Sequence, residues 1–76
     1  MSRLPACTPK DVVRVLGRAG FVFDHATGSH HYYRHPAHPE RGLITVAIHR
    51  KDLKRTTLHS IIKQAGLTRV DFLKLL

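Results

Sequence analysis

The sequence predicts a small α+β domain with the element order α-β-β-β-α, in which a three-stranded antiparallel sheet carries two main helices on one face. Two segments place apolar residues at helical spacing, and three short segments between them are rich in β-forming residues. Glycine or proline marks most of the junctions. A chain of 76 residues has the size of one small domain, so residues 1–76 are expected to form a single unit.

The first helix is predicted to begin directly after Thr8. The run Thr8-Pro9-Lys10-Asp11 supplies a capping threonine, a proline at the first helical position and an acid three residues after the cap. An apolar stripe at i, i+3, i+4 and i+7 follows, formed by Val12, Val15, Leu16 and Ala19. Gly20 is a suitable end for this helix.

A β-hairpin and a third strand are predicted next. Residues 21–25 form the first strand, Ala26-Thr27-Gly28 the turn, and residues 29–35 the second strand, which Pro36 ends. The prolines and glycine of residues 36–42 indicate a loop. Residues 43–48 form the third strand, which places Ile44, Val46 and Ile48 on one face.

The C-terminal part is predicted to contain a main helix and a short last helix. Thr56 or Thr57 caps the main helix, and Gly66 ends it. Its apolar stripe consists of Leu58, Ile61, Ile62 and Ala65. A second capping box at residues 68–71 opens a helix through Leu76. This last segment is apolar, and we expect it to pack on the core. A contact with another chain is the alternative.

Charge and composition restrict the class of partner. Thirteen Lys and Arg against five Asp and Glu give a net charge of +8, which favours polyanions: nucleic acid, an anionic membrane surface or an acidic protein. A single cysteine excludes an internal disulfide framework and a CxxC zinc site. No apolar run approaches the roughly 20 residues that span a bilayer. The first residues lack a hydrophobic signal core, so we expect a cytoplasmic protein.

Alternation along the second strand divides its side chains between two faces. One face carries His31, Tyr33 and His35, and the other carries His30, Tyr32 and Arg34. Because a guanidinium is costly to bury, we expect Arg34 and its face to lie in solvent. An imidazole, a phenol ring and a guanidinium then lie side by side on an exposed sheet.

Such a surface suits RNA. Arginine binds phosphate through a planar fork of donors, and an aromatic ring stacks on a base with about 1–3 kcal/mol. RNA carries its own nucleophile, the 2′-OH, so one well-placed histidine contributes roughly 10²–10⁴-fold to strand cleavage without a metal. In the alternative interpretation, His30 is only a polar residue on an exposed strand.

The densest run of basic residues, residues 50–55, follows the third strand. Lys51, Lys54 and Arg55 are candidates for phosphate contacts, and a solvated loop is the alternative interpretation. If the run contacts single-stranded RNA, each neutralised phosphate is expected to add about 0.7 to the salt slope of binding.

The histidines of the middle third raise the question of a metal site. His30 and His31 point to opposite faces of one strand and therefore do not share an ion. No cysteine lies near them, and no zinc-ligand spacing repeats. We therefore expect neither a metal nor another cofactor.

An ordered set of short motifs is similar to those of a known family. The motifs are Gly28-Ser29-His30-His31, Tyr33-Arg34-His35-Pro36, Ile44-Thr45-Val46, Lys51-Asp52-Leu53 and residues 61–67. Together, over about residues 10–67 of a small basic chain, they resemble the HicA family of toxin mRNA interferases. One departure is Ala47-Ile48-His49-Arg50, where many family members have a proline-rich turn.

The resemblance implies a fold like that of double-stranded RNA-binding domains and an mRNA substrate. It implies that His30, directly after Gly-Ser, is the catalytic histidine, with Gly28 and Ser29 in its motif and turn. It also implies a neutralising antitoxin of the HicB type.

Residues and resemblance together predict a metal-independent endoribonuclease. His30 acts as general base or as general acid, and the sequence does not decide between the two. Arg34, Lys51 and Lys54 stabilise the phosphate, and Tyr32 stacks on a base. A non-catalytic RNA-binding module of the same fold is the alternative. A DNA-binding subunit is a weaker interpretation, because no helix-turn-helix pairing is evident. Neither membrane binding nor DNA binding by the chain itself is expected.

Overall fold

The computed structural model describes residues 3–76. In chain order the elements are α1 (Pro9–Arg18), β1 (Val22–Thr27), β2 (His30–Arg34), a 3₁₀ turn (Pro39–Arg41), β3 (Ile44–Ala47), α2 (Arg55–Gln64) and α3 (Arg69–Leu75). The three strands form one antiparallel sheet in the order β1-β2-β3. The predicted fold class, α-β-β-β-α with a short last helix, is confirmed.

Helix α1 begins with the predicted capping box. The Asp11 backbone N–H donates to Thr8 Oγ1 (3.3 Å), and the Thr8 backbone N–H donates to the Asp11 carboxylate (3.0 Å). This backbone hydrogen bond is the main reason why the pKa of Asp11 lies below its ordinary value. Val12, Val15 and Leu16 of the predicted stripe are buried.

One face of the sheet packs against the helices and forms one side of the core. It contributes Tyr33 from β2 and Ile44 and Val46 from β3, all buried. The helices cover these side chains with Val12, Val15, Leu16, Leu58, Ile61, Ile62 and Phe72. The apolar C-terminal segment packs as expected, since α3 buries Phe72 and its last carbonyls accept hydrogen bonds from Arg18.

The hairpin turn begins two residues later than predicted and ends one residue later. Strand β1 extends through Thr27, which pairs with His30, and Gly28 and Ser29 alone form the turn. Gly28 has φ 58° and Ser29 does not have a positive φ, which are the φ signs of a type II′ turn. A type II′ turn matches the twist of the two strands, so the ladder continues to the turn itself.

Helix α2 begins one residue before the earlier of the two predicted caps. Its first residue is Arg55, and the N-cap is Lys54, whose side chain makes no capping hydrogen bond. The prediction of a Thr56 or Thr57 cap is therefore wrong. A tertiary contact accompanies this start, because Arg55 Nη1 donates to the Leu4 carbonyl at 2.6 Å.

Candidate functional site

The sheet face opposite the core is open. Its cross-strand pairs include Thr27 with His30, His25 with Tyr32, and Tyr32 with Thr45. As predicted, the side chains of β2 divide between the two faces: His30 and Arg34 are exposed, whereas Tyr33 is buried. We call the side with His30, Tyr32 and Arg34 the open face.

A β-bulge in β1 changes which residues reach the open face. Tyr32 pairs with His25, but its neighbour Tyr33 pairs with Phe23, so Asp24 is the extra residue. Without the bulge, the register set by the turn would pair Asp24 with the buried Tyr33 and place Phe23 on the open face. The bulge thus keeps a carboxylate out of the core face and brings Asp24 to the side chains around His25.

Four side chains on the open face contact one another and form what we call the bulge cluster: Asp24, His25, Tyr32 and Arg34. One carboxylate oxygen of Asp24 lies 2.6 Å from His25 Nδ1, and the other lies 3.1 Å from Arg34 Nε. The His25 ring stacks on the Tyr32 ring with a centroid distance of 4.3 Å and an interplanar angle of 4°. One carboxylate therefore orients both an imidazole and a guanidinium.

The contact with Asp24 distinguishes the two nitrogens of His25. A carboxylate at this distance accepts a hydrogen bond from Nδ1–H, so we assign the hydrogen of the neutral ring to Nδ1. Nε2 is then the nitrogen whose proton can be exchanged. The side chain of His25 is 48% exposed, which leaves it accessible to a ligand on the open face.

His30 is the first residue of β2 and directly follows the turn. Its side chain is exposed and makes no hydrogen bond, ion pair or ring contact within residues 3–76. Because His25 pairs with Tyr32, His30 is the diagonal neighbour of His25 on the same face. Such diagonal positions lie about 7–8 Å apart.

Beyond β3, basic side chains border a surface depression of about 440 Å³. Its lining includes Ala47, which pairs with His30, together with His49, Lys51 and Lys54. The structure thus places two of the predicted phosphate-binding residues beside the strand next to His30. Arg55 lies elsewhere, since it contacts the Leu4 carbonyl and lines a different pocket.

Residues 9–67 match the family model described as the HicA toxin of bacterial toxin-antitoxin systems. The chain belongs to the HicA toxin family. It is therefore a toxin of a toxin–antitoxin system, and an antitoxin partner is implied. The matched region extends from the first residue of α1 to just beyond α2, so it contains the whole sheet and excludes α3. No curated protein matches the chain in sequence.

The other predicted site residues of this HicA toxin have additional contacts. Tyr32 is half-buried, and His25 covers one face of its ring, so a base can stack only on the opposite face. Arg34 contacts Asp24 through Nε, and its Nη groups make no hydrogen bond within residues 3–76. Gly28 and Ser29 form the turn that positions His30.

Asp24 and His25 were not predicted as site residues. Their role in the open face depends on the bulge, which an alternating pattern does not reveal. The sequence did contain a signal for the bulge. If Gly28 and Ser29 form the turn and the ladder has no bulge, the resulting register directs Asp24 toward the core. Burying an unpaired carboxylate is costly, so a bulge between Phe23 and His25 was the favourable alternative.

Other titratable groups of the HicA toxin lie away from the open face. Cys7 is buried and its Sγ lies 3.4 Å from the Pro5 carbonyl. Burial first, and then the charge of Asp11, raise the pKa of this thiol and disfavour the nucleophilic thiolate. Burial also raises the pKa of Tyr33 on the core face.

Two global features restrict what else the described part of the chain contains. Within residues 3–76, no three His, Cys, Asp or Glu side chains converge in a way that could hold a metal ion. No helix of that same region is long and apolar enough to cross a bilayer.

Proposed function

We propose that this HicA toxin is a metal-independent endoribonuclease that cleaves mRNA, with His30 as an acid/base group. The observation that carries the proposal is the environment of His30. Its imidazole is exposed and has no side-chain partner within residues 3–76, and it lies on the open face of a chain with net charge +8. A histidine without a structural contact is free to exchange a proton with a ligand.

The chemistry requires two proton transfers. The 2′-OH loses its proton to a base, and O2′ forms a bond to phosphorus. The bond from phosphorus to O5′ breaks as O5′ takes a proton from an acid. The products carry a 2′,3′-cyclic phosphate and a 5′-hydroxyl. His30 supplies one of these transfers, which is worth roughly 10²–10⁴-fold.

Cations on the same side of the molecule as His30 support binding and stabilise the phosphate. Lys51 and Lys54 border the depression that Ala47, the pairing partner of His30, also lines, and the Nη groups of Arg34 are available at the other end of β2 on the open face. Positive groups placed before the reaction stabilise the charge that develops on the phosphoryl oxygens. The free face of Tyr32 offers a stacking surface for a base.

The antitoxin in this proposal is an acidic protein of the HicB type. The chain has eight more basic than acidic residues, and the open face presents Arg34 and His30 to solvent. A partner that covers the open face would exclude RNA from His30. Recovery of no acidic small protein in a pull-down from the native host would count against this partner.

The test compares the wild type with two histidine variants on a long single-stranded RNA in EDTA. His30→Ala is expected to reduce cleavage by about 10²–10⁴-fold, since it removes a proton-transfer group. His59→Ala is the matched control, because His59 is an exposed histidine on α2 outside the open face. Circular dichroism establishes that both variants fold.

Two outcomes contradict the proposal. Equal cleavage by His30→Ala and wild type would place the chemistry elsewhere. A mobility shift of intact RNA with all three proteins would instead support the alternative function, a non-catalytic RNA-binding module.

A further inference from the structure

We propose that His25 is the general acid of the cleavage reaction and that Asp24 is its positioning residue. This inference rests on the proposed ribonuclease function, which requires two proton transfers and for which His30 provides one. The bulge cluster supplies the second group on the same open face.

The contacts of His25 favour the role of an acid. Asp24 lies 2.6 Å from Nδ1, and a carboxylate so close accepts the Nδ1 hydrogen bond and holds the ring in one orientation. A ring held this way exchanges a proton with substrate through Nε2. A proton donor carries a positive charge before the reaction, and the anionic Asp24 lies directly beside the ring that would carry it.

The ring of His25 is also held in place. It lies flat on Tyr32 at 4.3 Å, while Asp24 fixes the edge that carries Nδ1. Arg34 in turn holds the second oxygen of Asp24 at 3.1 Å. A catalytic group is effective when neighbouring contacts keep it in one orientation, and His25 has contacts with two different side chains.

His30 has the opposite character. No carboxylate contacts it within residues 3–76, whereas Asp24 contacts His25. We therefore assign the base to His30. The titratable and charged side chains that face His25 are Asp24, Tyr32, Arg34 and His30, and β3 adds only the uncharged Thr45 and Ala47 to this face.

The spacing of the two histidines suits a phosphodiester. They are diagonal neighbours on β1 and β2, with backbone positions about 7–8 Å apart. In an in-line displacement, O2′ and O5′ lie on opposite sides of phosphorus, so the base and the acid must approach from two directions. Because the two histidines lie on separate strands, a phosphate bound between them would have His30 on its O2′ side and His25 on its O5′ side.

The complete step is balanced. His30 takes the proton of the 2′-OH, and O2′ forms its bond to phosphorus. The P–O5′ bond breaks, and the Nε2 proton of His25 passes to O5′. The reaction leaves His30 protonated and His25 neutral, and exchange with water restores both groups.

The experiment uses the full chain and two RNA substrates that differ in one atom. One is ordinary RNA, and the other carries sulfur in place of O5′ at the bond that the wild type cleaves. A thiolate leaves without a proton, so this substrate does not need a general acid. The variants are His25→Phe, which retains a ring to stack on Tyr32, and His30→Ala, with His59→Phe as the control on α2.

We expect His25→Phe to cleave ordinary RNA about 10²–10⁴-fold more slowly than the wild type and to regain most of the loss on the sulfur substrate. His30→Ala should be slow on both substrates, and His59→Phe should match the wild type. Asp24→Asn should slow cleavage of ordinary RNA and regain most of the loss on the sulfur substrate, because Asp24 acts only through the orientation of His25.

Several results would overturn the inference. Wild-type cleavage of ordinary RNA by His25→Phe would remove His25 from the chemistry. A loss that sulfur does not rescue would make His25 a structural residue, and rescue of His30→Ala instead would exchange the two roles. If the wild type cleaves neither substrate, the proposed ribonuclease function fails, which is distinct from a failure of His25 alone.

Discussion

The two faces of the sheet carry histidines with different surroundings. On the core side, His31 packs edge-on against the Phe23 ring at 5.6 Å, and His35 packs against Phe21 with its Nε2 3.0 Å from the Ala19 carbonyl. On the open face, His30 has no side-chain partner within residues 3–76, and His25 is oriented by a carboxylate. The histidines of the two sides therefore differ in their contacts, and the proposed chemistry uses only those of the open face.

The bulge explains why the two faces differ so clearly. It returns Phe23 to the core side, where its ring lies 5.8 Å from that of Tyr33, and it releases Asp24 to the open face. The bulge therefore places Phe23 beside Tyr33 and also brings the residues of the bulge cluster together. In energetic terms, the Phe23 ring packs beside Tyr33 while remaining 54% exposed, and the Asp24 carboxylate gains partners in His25 and Arg34.

The largest stability difference between the faces is expected at adjacent residues of β3. Ile44 is fully buried, so Ile44→Ala should lower the free energy of unfolding by about 2–5 kcal/mol through lost burial and a residual cavity. Thr45 is exposed on the open face, and Thr45→Ala should change it by less than about 1 kcal/mol. Urea denaturation of both variants measures the difference. Similar losses at the two positions would contradict the division of the sheet into a core face and an open face.

The apolar side of the molecule was largely predictable from the sequence, because its signals are local. Thr8 and Asp11 cap α1 as their spacing indicated, and Ile44 and Val46 are buried as alternation required. The start of α2 was not predictable, since it coincides with a contact between Arg55 and the distant Leu4 carbonyl. The catalytic role of His30 was predicted from its motif and strand face, and it stays a prediction.

One physical cause explains why part of the candidate site was not predicted from the sequence. Asp24 and His25 reach their positions through the register of two strands, and register depends on the turn. If the turn is placed at residues 26–28 rather than at Gly28 and Ser29, the register no longer directs Asp24 toward the core. The reason for the bulge is then not apparent from the sequence. A shift of one residue exchanges the faces of a whole strand, so small errors in turn position have large effects on a surface site.

An intermediate effect on stability is expected from replacing Gly28, which lies in the turn that fixes this register. Gly28 has φ 58°, and a Cβ there would meet no atom within 4 Å, so the cost of Gly28→Ala is conformational. We expect a loss of about 1–2 kcal/mol in the free energy of unfolding. Gly17 in α1 is the control, because its Cβ position is also open, and Gly17→Ala should stabilise the chain by about 0.5–1 kcal/mol. Thermal denaturation measures both effects. If the two substitutions shift the melting temperature in the same direction, the left-handed conformation at Gly28 is contradicted.

The smallest expected effect on stability comes from comparing the carboxylates of Asp11 and Asp24. The Thr8 backbone N–H lowers the pKa of Asp11 below its ordinary value of 3.8, so the stability that Asp11 contributes is complete above pH 3.8. That contribution is lost as the pH falls through the lowered pKa of the folded state. Asp11→Asn should therefore be less stable than the wild type at neutral pH, and the two unfolding curves should converge in acid.

Asp24→Asn provides the contrast to Asp11→Asn. Asp24 makes only surface ion pairs, which contribute about 0–1 kcal/mol, so its replacement should leave the free energy of unfolding nearly unchanged while slowing RNA cleavage. Chemical denaturation and cleavage rates of both variants at neutral pH make the comparison. If Asp24→Asn destabilises the fold more than Asp11→Asn and cleaves RNA normally, then the carboxylate of the bulge cluster serves the fold rather than the chemistry of His25.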